Sequence, residues 1–235
     1  IAINRWREDG TKDDRGIFCY IKDVNTGNFW SNTYQPTLQP ARDYEVLFSQ
    51  GHVEFRRKDF GIETTTEIVV SPEDDAEMRR ICISNRSGEE KILEITSYAE
   101  VVMAGQDSDE AHQAFSNLFV QTSIVREHCA IFSTRRARSQ DEVPPWMFHR
   151  MDMQNGEVIN ISFETDRMQF IGRSRSLVHP QAIDQTELSG NEGAVLDPIM
   201  AIRYRIKIKP NKTATFNLIY GISETKEGSE ALMHK

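Results

Sequence analysis

The amino-acid sequence predicts an all-β protein, a large antiparallel β-sandwich with few short helices, and three observations carry that prediction. Apolar side chains return at every second position in one run after another, the period of a strand with one buried and one wetter face. Clusters of Gly, Pro, Asn, Asp and Ser separate these runs at short intervals, as in sandwiches and barrels rather than in βαβ units. The chain has 235 residues, 38% hydrophobic and 27% charged, which suits one all-β domain of about 200–250 residues.

Taken in order, the predicted strands begin with Val53 to Arg57, ahead of the turn at Phe60-Gly61. In Ile62 to Val70, the positions Ile62, Thr64, Thr66, Ile68 and Val70 share one face, and β-branched residues dominate. The turn Ser71-Pro72-Glu73-Asp74-Asp75 leads to Met78–Ser84, and Asn85-Arg86-Ser87-Gly88 to Ile92–Val102. Leu118–Val125, Ala130–Arg135, Trp146–Met153 and Ile159–Thr165 follow, with Asn155-Gly156 between the last two. The clearest alternation is in Met200 to Ile208: Met200, Ile202, Tyr204, Ile206 and Ile208 point one way, and Arg203, Arg205 and Lys207 form a wet face. After Pro210-Asn211-Lys212, Ala214–Ile222 closes the series. Helical signal is sparse: Asp107 to Asn117 reads as a short helix or ordered loop, and Lys226 to His234 as the start of a helix or linker. The expected organisation is a sandwich domain over residues 1–225 and the start of a linker over 226–235. The opening Ile1-Ala2-Ile3-Asn4-Arg5-Trp6 has no initiator Met and no signal-peptide pattern, and reads as part of a longer protein.

Charge and motif content exclude several functions. With 28 basic and 36 acidic side chains the net charge is −8, which argues against a nucleic-acid binder, since that activity rests on many Lys and Arg contacts to phosphates. No run approaches the ~18 apolar residues of a membrane-spanning helix. Cys19, Cys82 and Cys129 are far apart and odd in number, so neither a disulfide framework nor a structural zinc site is expected. Phosphate-loop, serine-hydrolase and zinc-protease motifs are missing, and the six histidines show no ligand spacing. Asp107-Ser108-Asp109 has the form of a divalent-cation pair but runs on into Glu110 with no Rossmann-like strand before it, so it reads as a solvated acidic loop. No catalytic residue, metal ligand or cofactor is assigned. Sugar recognition remains open, because a pyranose offers an apolar face for stacking and a ring of hydroxyls for polar groups. Trp6, Trp30 and Trp146 are candidate platforms or core residues, and His112 to Val120 mixes aromatic and hydrogen-bonding side chains.

Several spans also carry a family likeness: Arg5 to Gly16, Phe18 to Asp23, Trp30-Ser31, Val70 to Glu77, Thr96 to Val101, Ala114 to Thr122, Glu164 to Arg167, Phe170 to Arg173 and Gly193 to Ile199. Together they resemble, in order and along nearly the whole chain, the β-sandwich that opens the phosphorylase-like region of cyclic β-1,2-glucan synthases. That region is related to cellobiose and chitobiose phosphorylases. The resemblance implies a galactose mutarotase-like supersandwich joined by helices to an (α/α) barrel, whose catalytic acid and phosphate-binding residues match nothing in this chain. It implies a non-catalytic domain that packs on the barrel, supports a homodimer and lends loops to a cleft for a β-glucan or glucose-containing oligosaccharide. It also implies a cytoplasmic location, with the parent anchored in the bacterial inner membrane by segments outside this chain. On the matching segments, the expected sugar contacts are Arg5, Trp6, His112, Phe115, Ser116 and Asn117. The rival readings are a stand-alone carbohydrate-binding module, a mutarotase-like enzyme built on His and Glu, and a pure docking scaffold.

Overall fold

The computed structural model describes residues 1–235 except 6–8, 10, 12, 13, 138, 140 and 141. Among the described residues, thirteen antiparallel strands form two facing sheets. The smaller contains β1 (Ile17–Asp23), β2 (Phe29–Ser31), β7 (Lys91–Glu100), β11 (Glu157–Asp166) and β12 (Pro198–Ile208), in the order β11-β12-β7-β1-β2. The larger contains β3 (Asp43–Ser49), β4 (His52–Asp59), β5 (Ile62–Val70), β6 (Ala76–Asn85), β8 (Val120–Val125), β9 (Ala130–Arg135), β10 (Trp146–Gln154) and β13 (Thr213–Ser223). Its order is β3-β4-β5-β6-β13-β10-β9-β8. The all-β sandwich expected from the two-residue period is therefore what the chain forms.

Between the sheets lies the main core. Cys19, Ile21, Leu93, Ile95, Met200, Ile202, Tyr204 and Ile206 face Ile81, Ile83, Phe216, Leu218, Met147 and Met151, and each large side chain removed from water contributes about 1.5–3 kcal/mol. Trp30 belongs to this core and is fully buried, so it is no sugar platform. Trp146 is half-buried, with the Lys226 ammonium 5.8 Å from its ring centroid.

The outer face of the smaller sheet is not wet where alternation in β12 predicts it to be. Residues 167–197, which include α3 (Arg167–Ile171) and a 3₁₀ turn at Gln181–Asp184, fold back over it. Phe18, Tyr20, Tyr98, Ile199 and Ala201 pack there against Phe170, Ile171, Leu177 and Ile183. Arg203 is consequently 1% exposed. Its guanidinium donates to Thr96 Oγ1 at 2.8 Å and to the carbonyls of Gln185 and Ala182 at 2.7 Å each, which replaces the water that burial removes.

Residues 226–234 form α4 (Lys226–His234), capped by Thr225 Oγ1, which accepts from Gly228 N at 3.0 Å. Met233 and Leu232 pack on Phe148, Phe132 and Ile219 of the larger sheet's outer face. Gly221 allows this approach, since a Cβ there would lie 2.5 Å from Phe148 and 3.2 Å from Leu232.

Candidate functional site

The Asp107–Asn117 stretch forms two short helices, α1 (Gln106–Ala111) and α2 (Gln113–Asn117), hinged at His112. Neither has a side-chain N-cap, and helices this short are marginal in water. Their order comes from tertiary staples on two sides.

The first staple is Arg5. Its Nε and Nη2 donate to the two carboxylate oxygens of Asp109 at 2.9 and 3.1 Å, Nη2 also donates to Asn117 Oδ1 at 2.7 Å, and Nη1 donates to Glu100 Oε2 at 3.3 Å. Glu100, at the end of β7, also accepts from Arg15 Nη1 at 3.0 Å and lies 3.2 Å from Arg167 Nε. Asn117 Nδ2 donates to Asp197 Oδ1 at 2.9 Å, and Arg167 Nη1 donates to the other oxygen at 3.3 Å. Burial pushes the Asp197 carboxyl up, against the pull of Arg167 and Arg5. Arg5, Arg15 and Arg167 thus alternate with Glu100, Asp109 and Asp197, each charge beside one of the opposite sign, as buried charge requires.

The second staple is Arg135 on β9. It donates from Nη1 to Val102 O at 2.9 Å and from Nη2 to Ser116 O at 3.0 Å. Its guanidinium and that of Arg136 each lie 5.8 Å from the Phe119 ring centroid, and Arg136 Nη2 donates to Leu118 O at 2.6 Å. The last turn of α2 is held by charge-assisted bonds to its carbonyls.

This base leaves one face of the crossover open to solvent. His112 and Phe115 are exposed and one helical turn apart, with Phe115 at 57% exposure and its ring edge-on to Phe119 at 5.3 Å. Ser116 and Asn117 are buried, and the Ser116 hydroxyl has no hydrogen-bond partner among the described residues. Of the residues singled out from sequence, Arg5 and Asn117 are struts, Ser116 lies beneath the surface, and His112 and Phe115 form the surface. Trp6 lies outside the described residues. The acidic stretch differs from expectation too: Asp109 is not a solvated loop residue but the buried partner of Arg5. Sequence reasoning missed Glu100, Arg135, Arg167 and Asp197, whose partners lie on other elements.

One further constellation has the atoms of catalytic chemistry. His149 Nε2 is 2.7 Å from Ser97 Oγ, its ring stacks on Tyr220 with centroids 4.1 Å apart, and Nδ1 is 3.3 Å from Ile219 O. Burial pushes its pKa down to about 3, leaving a neutral imidazole in the core. Ser97 Oγ accepts from Ile202 N at 3.0 Å, and both side chains are fully buried, so no substrate reaches them. Among the described residues no group of three or more His, Cys, Asp or Glu is placed to hold a metal ion. No helix of the described chain is long and apolar enough to cross a membrane.

The model of the glycosyl hydrolase 94 supersandwich domain matches residues 1–235. The chain belongs to that family. It is 33% identical over 212 residues to the cyclic beta-(1,2)-glucan synthase NdvB of Rhizobium meliloti (strain 1021), a match covering 90% of this chain and 8% of the relative. It is 21% identical over 218 residues to the solabiose phosphorylase of Paenibacillus borealis, covering 93% of this chain and 27% of the relative. The chain therefore spans about a tenth to a quarter of the length of these relatives. A solved bacterial glucoamylase complexed with acarbose shares the fold, with a TM-score of 0.53 at 8% identity over 94% of this chain and 29% of that one.

Proposed function

We propose that this chain is the non-catalytic sandwich of a larger cyclic β-1,2-glucan synthase-like protein, related to the inverting glycoside phosphorylases. In this reading it packs against a catalytic (α/α) barrel, supports a homodimer in the cytoplasm, and presents the α1–α2 crossover to a glucan. The observation that carries the reading is the crossover itself. Arg5 and Arg135 hold it from below, while His112 and Phe115 stand exposed on it. An aromatic face beside a hydrogen-bonding ring suits a sugar, and a pre-ordered surface loses little freedom on binding.

The test has two arms. Incubation with β-1,2-glucan and phosphate yields no glucose 1-phosphate; release of that product overturns the non-catalytic reading. Calorimetric titration with linear and cyclic β-1,2-glucans yields heat that His112→Ala and Phe115→Ala abolish. Heat unchanged by both substitutions contradicts the crossover as the contact, and no heat from the folded chain contradicts sugar binding by the isolated sandwich, leaving its scaffold role.

A further inference from the structure

β3 is the outer strand of the larger sheet, and among the described residues it pairs only with β4. None of its seven residues is buried. The opposite edge is covered, since Thr122 of β8 and Gly193 exchange backbone hydrogen bonds of 3.0 and 2.9 Å. β3 carries neither Pro nor Lys, and its register with β4 runs without a bulge from Asp43↔Lys58 to Ser49↔His52. Those are the usual devices against edge pairing, leaving Asp43 and Glu45 as its charged residues.

The side chains of β3 add a second observation. Tyr44, Val46 and Phe48 share the sheet face of Val53, Phe55, Ile68 and Val70 by register. This is the face that carries Ile81 and Ile83 into the core. Past the reach of the smaller sheet the face is open: Phe48 is 81% exposed, Val70 67% and Tyr44 43%.

We propose that β3 pairs antiparallel with β3 of a second copy of this chain about a two-fold axis through Val46. This rests on the self-association in the reading above and names its surface. The axis stands perpendicular to the sheet, so opposed residues must share a face and the register can shift only in steps that preserve it. With Val46 opposite Val46 of the second copy, Tyr44 meets Phe48, Glu45 meets Leu47 and Asp43 meets Ser49. All seven residues pair, no carboxylate faces another, and the open apolar face continues across the axis. Centring the pair on Glu45 instead sets two carboxylates opposite each other. One strand pair with a short apolar strip is a small interface, so the dimer is weak and concentration-dependent.

Sedimentation of the 235-residue chain over a range of concentrations, with Val46→Lys and Val46→Glu alongside, tests the pairing. The unsubstituted chain dimerises, each variant alone associates at least about tenfold more weakly, and an equimolar mixture of the two recovers the dimer. A dimer that persists in both variants overturns the β3 surface but keeps self-association. A chain that stays monomeric throughout overturns both, and leaves the sugar-presenting role standing. Should the charged variants lose their fold, Val46→Cys replaces them: mild oxidation links two copies through it faster than through Leu47→Cys, and equal rates overturn the register.

Discussion

The α1–α2 crossover and the β3–β4 hairpin reach their order by opposite routes. Helices of six and five residues without side-chain caps have little order of their own, and the crossover is fixed by arginines from distant parts of the chain. The hairpin is held by a seven-pair backbone ladder, yet it leaves an open edge and an apolar face. Polar staples close a surface and set its shape for a ligand, whereas a ladder with an unmatched edge leaves stabilisation to be completed by another strand.

The largest break in this comparison is expected from Arg5→Ala. It leaves Asp109 buried without its cation, and the cost is about 3–5 kcal/mol in urea unfolding; a loss below about 1 kcal/mol would mean that the staple is dispensable. Acid acts next, and on both regions together, through the core between the sheets. Burial of His149 holds its folded-state pKa at about 3 against an ordinary 6.5, so the unfolded chain binds the extra proton between these values. This contribution is fully present above about pH 6.5 and falls away toward pH 3, at up to about 1.4 kcal/mol per pH unit. His149→Gln removes that component of the pH dependence of unfolding, and an unchanged profile would assign the acid sensitivity to other groups. Smaller effects sharpen the contrast. Phe115→Ala costs less than about 1 kcal/mol of stability, the worth of one aromatic pair, while abolishing glucan heat. Phe48→Ser leaves monomer stability within about 0.5 kcal/mol and weakens self-association; a large fall in monomer stability would mean that Phe48 is needed within its own chain.

What could be read in advance follows the same division. β5 and β13 alternate plainly because one face of each meets the core, and β12 does so in its second half, where Arg205 and Lys207 lie beyond the cover that buries Ile199, Ala201 and Arg203. β1 escapes that test because both its faces are buried, Cys19 and Ile21 in the main core and Phe18 and Tyr20 under the 167–197 cover, so its apolar run does not alternate. β3 does alternate, with Tyr44, Val46 and Phe48 on one face, and is the strand passed over despite a signal. The burial of Arg203 depends on carbonyls about twenty residues away across a long connection, beyond the reach of any local period. Arg5 and the loop from His112 to Asn117 were legible as one set, but their division into struts and surface was not. It depends on Asp109 and Asn117, which sit 104 and 112 residues from Arg5.

Hydrogen exchange on the intact chain, before and after Arg5→Ala, tests most directly that the crossover is a pre-ordered platform. The account predicts that amides at 116–119, bonded within and just past α2, exchange far more slowly than a free loop, and that this protection collapses in the Arg5 variant while the β4–β5 ladder keeps its own. Free-loop exchange rates at 116–119 in the unsubstituted chain would contradict it.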